Sequence, residues 1–242
     1  IRAHELSAPQ RWNATSALFE ALMQHEEVFA RVAELRPDDL DLWQKKGQYH
    51  DLRGEWKHAL PAYARASADS MYAYALLLTG DEDGYREVCQ RLAGRFGDTN
   101  EPDRARRLVE VCSAGPQSGI DPAQIAEWMQ LAISAHRNKF TLNALAWTHY
   151  RAGQFGQTLQ VLQEAMELPE PMLTSQAAFP LSLAYRGLSQ EEEGRKWYRI
   201  GITHLDKVTP RTPYDSVPWA HEHWIGVNVW YREAKAAFEP SE

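Results

Sequence analysis

His221, Glu222 and His223 stand side by side, and two imidazoles with a carboxylate can hold a divalent transition metal. The run lies in a stretch with helical spacing, where residues two apart point to different sides. No metal site is expected there. Glu191, Glu192 and Glu193 form an acidic run; they open a helix and read as a solvated first turn that suits its dipole. Cys89 and Cys112 sit among apolar residues of helical stretches. Two cysteines make neither a disulfide framework nor a zinc site, so both are expected as buried free thiols. His50 and His149 occupy matching places in two similar stretches and are expected to be packing residues with one ring nitrogen satisfied. Catalysis needs a nucleophile or a metal, a base within reach and a group that stabilises charge. No such set is found. Kinase signatures are absent, as are Walker and dinucleotide fingerprints. No catalytic residue, no metal and no cofactor is expected.

The 242 residues are enough for one large domain or an elongated array. Hydrophobic residues make up 44% and charged residues 24%, an ordinary balance. The net charge is −7, with acids and bases interleaved. A general nucleic-acid binder needs a basic face that releases counterions, so that class is set aside. No apolar run is long enough to span a membrane. The chain opens at Ile1 with no signal peptide, which leads to the expectation of a cytoplasmic piece of something longer.

What must position any functional residue is a rhythm of large and small side chains. In "DLWQKKGQYHDLRGEWKHALPAYARA", Trp43, Gly47 and His50 lie along one helix, Gly54 breaks it, and Ala59, Tyr63 and Ala66 lie along a second. Gly47 and Ala59 let the two helices approach; Trp43 and Tyr63 fill the space beside them. The arrangement recurs with Leu142, Leu145, Ala146 and His149 before Gly153, and Phe155, Leu159, Leu162 and Ala165 after it. Gly54 and Gly153 are separated by about three units of roughly 34 residues. The intermediate turns fall at "TGDEDG" (Thr79–Gly84) and "AGPQSGIDP" (Ala114–Pro122), and a further one at "GLSQEE" (Gly187–Glu192).

The spacing predicts a helix over Ala14–Arg36 stopped by Pro37, then helix pairs: Leu40–Leu52 with Glu55–Ser67, and Asp69–Leu78 with Asp81–Ala93. Glu101–Cys112 precedes a helix that starts at Asp121 and Pro122 and runs to about Ala135. Lys139–Arg151 pairs with Phe155–Glu167, and Ser175–Arg186 with Gln190–His204. "KVTPRTPYDSVP" reads as a link to a last helix, Trp219–Phe238. Gly94 and Gly97 suit a left-handed helix exit. Pro61 predicts a kink, and Pro180 a helix that starts late, near Phe179. The fold class is all-α: a right-handed α-α superhelix of about five hairpins with a C-terminal capping helix. Residues 1–38 form a degenerate helical unit, 39–205 the array, and 206–242 the linker and cap. Trp219, Trp224 and Trp230 are expected to cover the apolar end of the stack.

Trp43, Gly47, Ala59 and Tyr63 match the tetratricopeptide pattern, with Lys46 and His50 standing in for its Leu and Tyr. Ser182, Tyr185, Gly194 and Tyr198 hold the key places of a later unit, and Thr158 is a departure from the small residue. The chain resembles the tetratricopeptide repeat family. "YREVCQRLAGRFGDTNEPDRARRLVEVCSAGP", "ALAWTHYRAGQFGQTLQVLQEAMEL" and "VNVWYREAKAAF" are further similar to the C-terminal repeat region of planctomycete bacterial proteins that carry a serine/threonine kinase or a propeller-type domain. The resemblance implies a non-enzymatic interaction module binding a peptide or partner domain on the concave surface lined by the first helix of each pair. The regulatory end of a bacterial kinase and a structural spacer are the other readings. Carried over residue by residue, the early groove is polar, with Asp41, Gln44, Gln48 and Asp51. The later groove is aromatic and basic, and its partner-binding residues are Phe140, Asn143, Trp147, Tyr150, Arg151, Phe179, Leu183 and Arg186. Two occupants stay open for this surface: a partner protein or peptide, or the chain's own segment after Leu205.

Overall fold

Asp39, Asp81, Asp121 and Asn138 each accept a hydrogen bond from a backbone N–H of the turn that follows, and so each opens a helix. The computed structural model describes residues 25–168, 174–209 and 221–239, and all the regular structure among them is helical. Helix α1 is Glu26–Leu35. Five pairs follow: α2 (Leu40–Asp51) with α3 (Trp56–Arg65), α4 (Asp69–Thr79) with α5 (Glu82–Phe96), α6 (Pro102–Cys112) with α7 (Pro122–Ala135), α8 (Lys139–Arg151) with α9 (Phe155–Glu167), and α10 (Thr174–Gly187) with α11 (Glu191–Val208). Helix α12 is His221–Phe238.

Successive pairs pack through α3 on α4, α5 on α6, α7 on α8 and α9 on α10. The first helices also form a row, α4 on α6, α6 on α8 and α8 on α10. This is a repeat-like all-helical stack. The turns inside the pairs repeat in detail. After α2, α8 and α10, the N–H of Glu55, Gln154 and Gln190 donates to the carbonyl of His50, His149 and Tyr185, five residues back. The residue before each, Gly54, Gly153 and Ser189, has φ of 72°, 71° and 61°. A helix ended this way needs one left-handed residue, which glycine supplies without cost from a Cβ.

Small residues let aromatic rings lock the pairs. The Tyr63 ring lies on Gly47, and its hydroxyl donates to the buried Asp51 carboxylate. Phe155 lies on Gly187 and Phe179 on Gly201. Tyr85 donates to the Val111 carbonyl at 2.8 Å and accepts from the Gly115 N–H at 3.0 Å. Lys46 reaches Glu26 at 2.6 Å and ties α1 to α2. Cys89 and Cys112 are buried free thiols.

Four expectations change. Helix α10 starts at Thr174 with Pro180 inside it, not near Phe179. Residues Ser175 to Ala184 are all buried, and that packing outweighs the ~3 kcal/mol a proline costs an isolated helix. Gly97 has φ −60°, so it is no left-handed exit; α5 continues to Phe96, and the Trp128 indole donates to the Gly97 carbonyl at 2.8 Å. Helix α11 runs on to Val208, into the expected linker. Helix α12 does not simply cap the last pair: it packs on α4 as well as on α10 and α11. Pro61 lies inside α3 as expected. Residues 14–24 of the first predicted helix, and Trp219, lie outside the described residues.

Candidate functional site: the first-helix row and helix α12

Arg151 ends α8, and its side chain gathers three elements. Its Nε donates to the Ser113 carbonyl at 3.0 Å, Nη2 donates to the Ala114 carbonyl, and both terminal nitrogens reach Glu233 of α12, at 2.9 and 2.7 Å. The Tyr150 hydroxyl donates to the same carboxylate at 2.9 Å. Burial, with the negative charge of Glu233, raises the Tyr150 phenol above its ordinary range, which keeps it a donor. A planar guanidinium gripping a carboxylate by two bonds fixes orientation as well as charge.

Beside this pair runs a seam of rings. Trp147 meets Trp230 with centroids 5.2 Å apart, and Tyr150 meets Trp230 edge-on at 5.4 Å. Phe179 meets Tyr231 at 5.3 Å, and Phe140 stacks on His223 at 5.3 Å. The Arg151 guanidinium lies 4.5 Å from the Trp230 ring, and Arg186 lies 5.5 Å from Phe238. All eight sequence-predicted residues thus belong to α8 and α10. Six are drawn by these contacts onto α12: Phe140, Trp147, Tyr150, Arg151, Phe179 and Arg186. Asn143 and Leu183 are buried with them. Of the two occupants left open by the sequence, the structure places the chain's own helix on this face. Arg186 and Phe140 keep substantial exposure at its rim.

The early polar residues do not join this seam. Asp51 is turned inward to Tyr63, and Asp41 pairs with Lys45 at 3.0 Å. Sequence reasoning missed the α4 and α6 contributions, Tyr74, Arg106 and Glu110. The visible signal was Glu110, a carboxylate flanked by Val109 and Val111 in an otherwise apolar run. Glu110 is buried and bonded to Arg106 at 2.5 Å; burial pushes its carboxyl up to about 7 against the pull of Arg106, with Glu222 of α12 adding to the rise. His223 is held below the usual histidine value chiefly by burial.

The seam leaves polar atoms unmet. Among the described residues, the indole N–H groups of Trp147, Trp224 and Trp230 and the Asn143 side-chain carbonyl are buried without a hydrogen-bond partner. Each such group costs about 1–3 kcal/mol. Asn143 and Trp147 border a crevice with only ≈ 10 Å³ of free space. A larger cavity of ≈ 700 Å³ opens between α7 and α8, over Ile125, Met129, Ile133 and Leu145. Several of its polar side chains are already engaged: His149 with Gln154 at 2.6 Å, and Arg137 with Glu164 by two bonds. The indole N–H of Trp43 on α2 is unmet as well, so among the described residues four of the five such groups lie at the α12 seam. Three side chains able to hold a metal lie together at the α2–α3 turn: His50, Glu55 and His58. Comparison of the chain with protein-family models and with curated proteins gives no match.

Proposed function

We propose that this chain is a non-enzymatic interaction module, a tetratricopeptide-like array whose first-helix face takes an amphipathic helix. Helix α12 is its resident occupant, and exchange of α12 for a segment of a partner protein is the working event. One observation carries this reading: the seam combines aromatic and arginine anchors with four buried polar atoms left unmet. Aromatic rings and a buried arginine are the usual anchors of protein interfaces. A partner helix that offers an acceptor to the Trp147 N–H and a donor to the Asn143 carbonyl gains what α12 forgoes. Its chemistry follows from the face: an aromatic residue for the Trp147 site and, three positions on, a carboxylate for Arg151, as Trp230 and Glu233 provide now. In the reading that the family resemblance suggests, such a module is the interaction end of a longer bacterial signalling chain.

The test screens displayed helical peptides against the full chain and against a Trp230→Ala/Glu233→Lys variant of unchanged helicity. The variant should capture amphipathic peptides bearing an aromatic and an acidic residue three apart. An added peptide of residues 221–239 should compete, and a further Trp147→Ala change should abolish capture. Peptides held equally well after Trp147→Ala, or none captured by either chain, would overturn the proposal.

A further inference from the structure

His50 closes α2, Glu55 stands at the N-cap of α3, and His58 follows within its first turn. The His50 Nδ1 lies 2.8 Å from Glu55 Oε2, and the two imidazole rings have centroids 5.5 Å apart, tilted by 32°. One donor atom from each of the three side chains lies within 4.8 Å of the others. We propose that His50, Glu55 and His58 bind a divalent transition-metal ion of the zinc class, its remaining positions open to water or to a ligand from outside.

The fourth pair supplies an internal reference for what this turn needs merely to fold. There His149 Nδ1 lies 2.6 Å from Gln154 Oε1, on the same backbone turn, with Gly153 in the place of Gly54. A neutral amide is enough to latch the histidine. At the position matching His58 the fourth pair has Gln157. The carboxylate and the second imidazole are therefore additions at the α2–α3 turn, and both are metal ligands by chemistry.

The geometry is close to what a metal needs. Zinc bonds of 2.0–2.1 Å in a tetrahedral site set donors about 3.3 Å apart. His50 and Glu55 already stand within that spacing, and His58, exposed at the start of α3, closes the rest by side-chain rotation. Arg53 Nε donates to Glu55 Oε1 at 3.2 Å, which leaves Oε2 facing the imidazoles. That hydrogen bond orients the ligand as outer partners of metal sites do, while it also draws on the carboxylate's charge. Two imidazoles and one carboxylate select zinc, cobalt, nickel or copper over magnesium and calcium.

The experiment uses the full chain after chelator treatment. Zinc binding is followed by calorimetry, and cobalt broadening of assigned imidazole resonances by NMR. One ion should bind, with His50 and His58 broadened first. His58→Ala and Glu55→Gln should each weaken binding roughly tenfold or more, with helicity unchanged, whereas His149→Ala should retain it. Binding unaltered by His58→Ala overturns the proposal. So does binding lost through His223→Ala, which would assign the ion to the His221–His223 run, and so does no uptake at ~100 μM zinc.

Discussion

The joints between paired helices and the seam beneath α12 are both built from aromatic rings, yet they close differently. At a joint the ring lies on a glycine and the tyrosine hydroxyl is met, although the Trp43 indole of α2 is left unpartnered. Tyr63 covers Gly47 and donates to Asp51, and Tyr85 both donates and accepts across the start of the α6–α7 connection. At the seam the rings are as deeply buried, but Trp147, Trp224 and Trp230 leave their N–H groups unmet, and Glu110 and His223 bring titrating groups to the α12 contact. Satisfied, interlocked contacts specify one arrangement; unmet ones leave free energy for a competitor. On the function proposed above, the difference separates a permanent core from an exchangeable contact.

The sharpest way to break this comparison is to overfill a joint. A Cβ on Gly47 would stand 2.4 Å from the Tyr63 ring, and Tyr63 is fully buried. Moving the ring also disturbs its hydrogen bond to Asp51. Gly47→Ala should cost about 3 kcal/mol, read as a lower midpoint in urea unfolding of the whole chain. A cost under about 1 kcal/mol would mean that the joint yields as readily as the seam, and the distinction would fall.

Truncating a seam ring should have a different reach. Trp230→Ala removes the contacts with Trp147, Tyr150 and Arg151 at the centre of α12. About 2–3 kcal/mol of docking should be lost, somewhat less than for a core tryptophan, because one unmet N–H disappears with the ring. Hydrogen exchange should accelerate across residues 221–238 while amides of α2 and α3 keep their protection. Acceleration throughout the chain would show that α12 belongs to the same cooperative unit as the joints.

The joints were legible in the sequence and the seam only in part, for a physical reason. Trp43, Gly47, Gly54, Ala59 and Tyr63 interact within one pair, so spacing alone reports them. The bounds of α8 and α9 fall at the residues that spacing predicts. The aromatic and arginine character of Phe140, Trp147, Tyr150, Arg151, Phe179 and Arg186 was equally visible, and the structure brings these residues to one face. What covers that face is a long-range fact. Glu233 is 82 residues from Arg151, and no local pattern encodes their meeting. Pro180 misled for the same reason, since local rules weigh the missing N–H but not the burial of the segment around it. His58 went unnoticed because its partners sit across a turn, and helical spacing does not compare residues on either side of a break.

The seam should also answer to pH in a way the joints do not. Glu110 has its carboxyl pushed from 4.5 to about 7, first by burial. Its protonated form is thus favoured by folding. That contribution is full below the unfolded value and is lost as pH rises through about 7. Arg106 opposes the rise, and Glu222 of α12 adds to it. His223 acts with the opposite sign: burial lowers it, so its contribution is lost as pH falls below the ordinary histidine range. Glu110→Gln keeps a neutral side chain at every pH. Relative to this variant, the native chain should lose on the order of 2 kcal/mol between pH 5 and pH 8, measured by urea unfolding. Parallel pH profiles for the two chains would remove Glu110 as the source.

The smallest effect repeats the first substitution on the other side of the comparison and should reverse its sign. Gly226 lies inside α12 on the seam, and a Cβ there would meet Tyr74 and Trp147 at 3.8 and 3.9 Å, ordinary contact distances. The seam has room where the joint has none. Gly226→Ala should therefore gain helix propensity without overpacking, worth about 0.5–1 kcal/mol. The gain should appear as slower hydrogen exchange in α12 and as weaker capture of competing helical peptides, because the resident helix is held more firmly. A loss of stability at Gly226 comparable to that at Gly47 would show the seam to be packed as tightly as a joint. The exchangeable character of α12 would then rest on its unmet polar atoms alone.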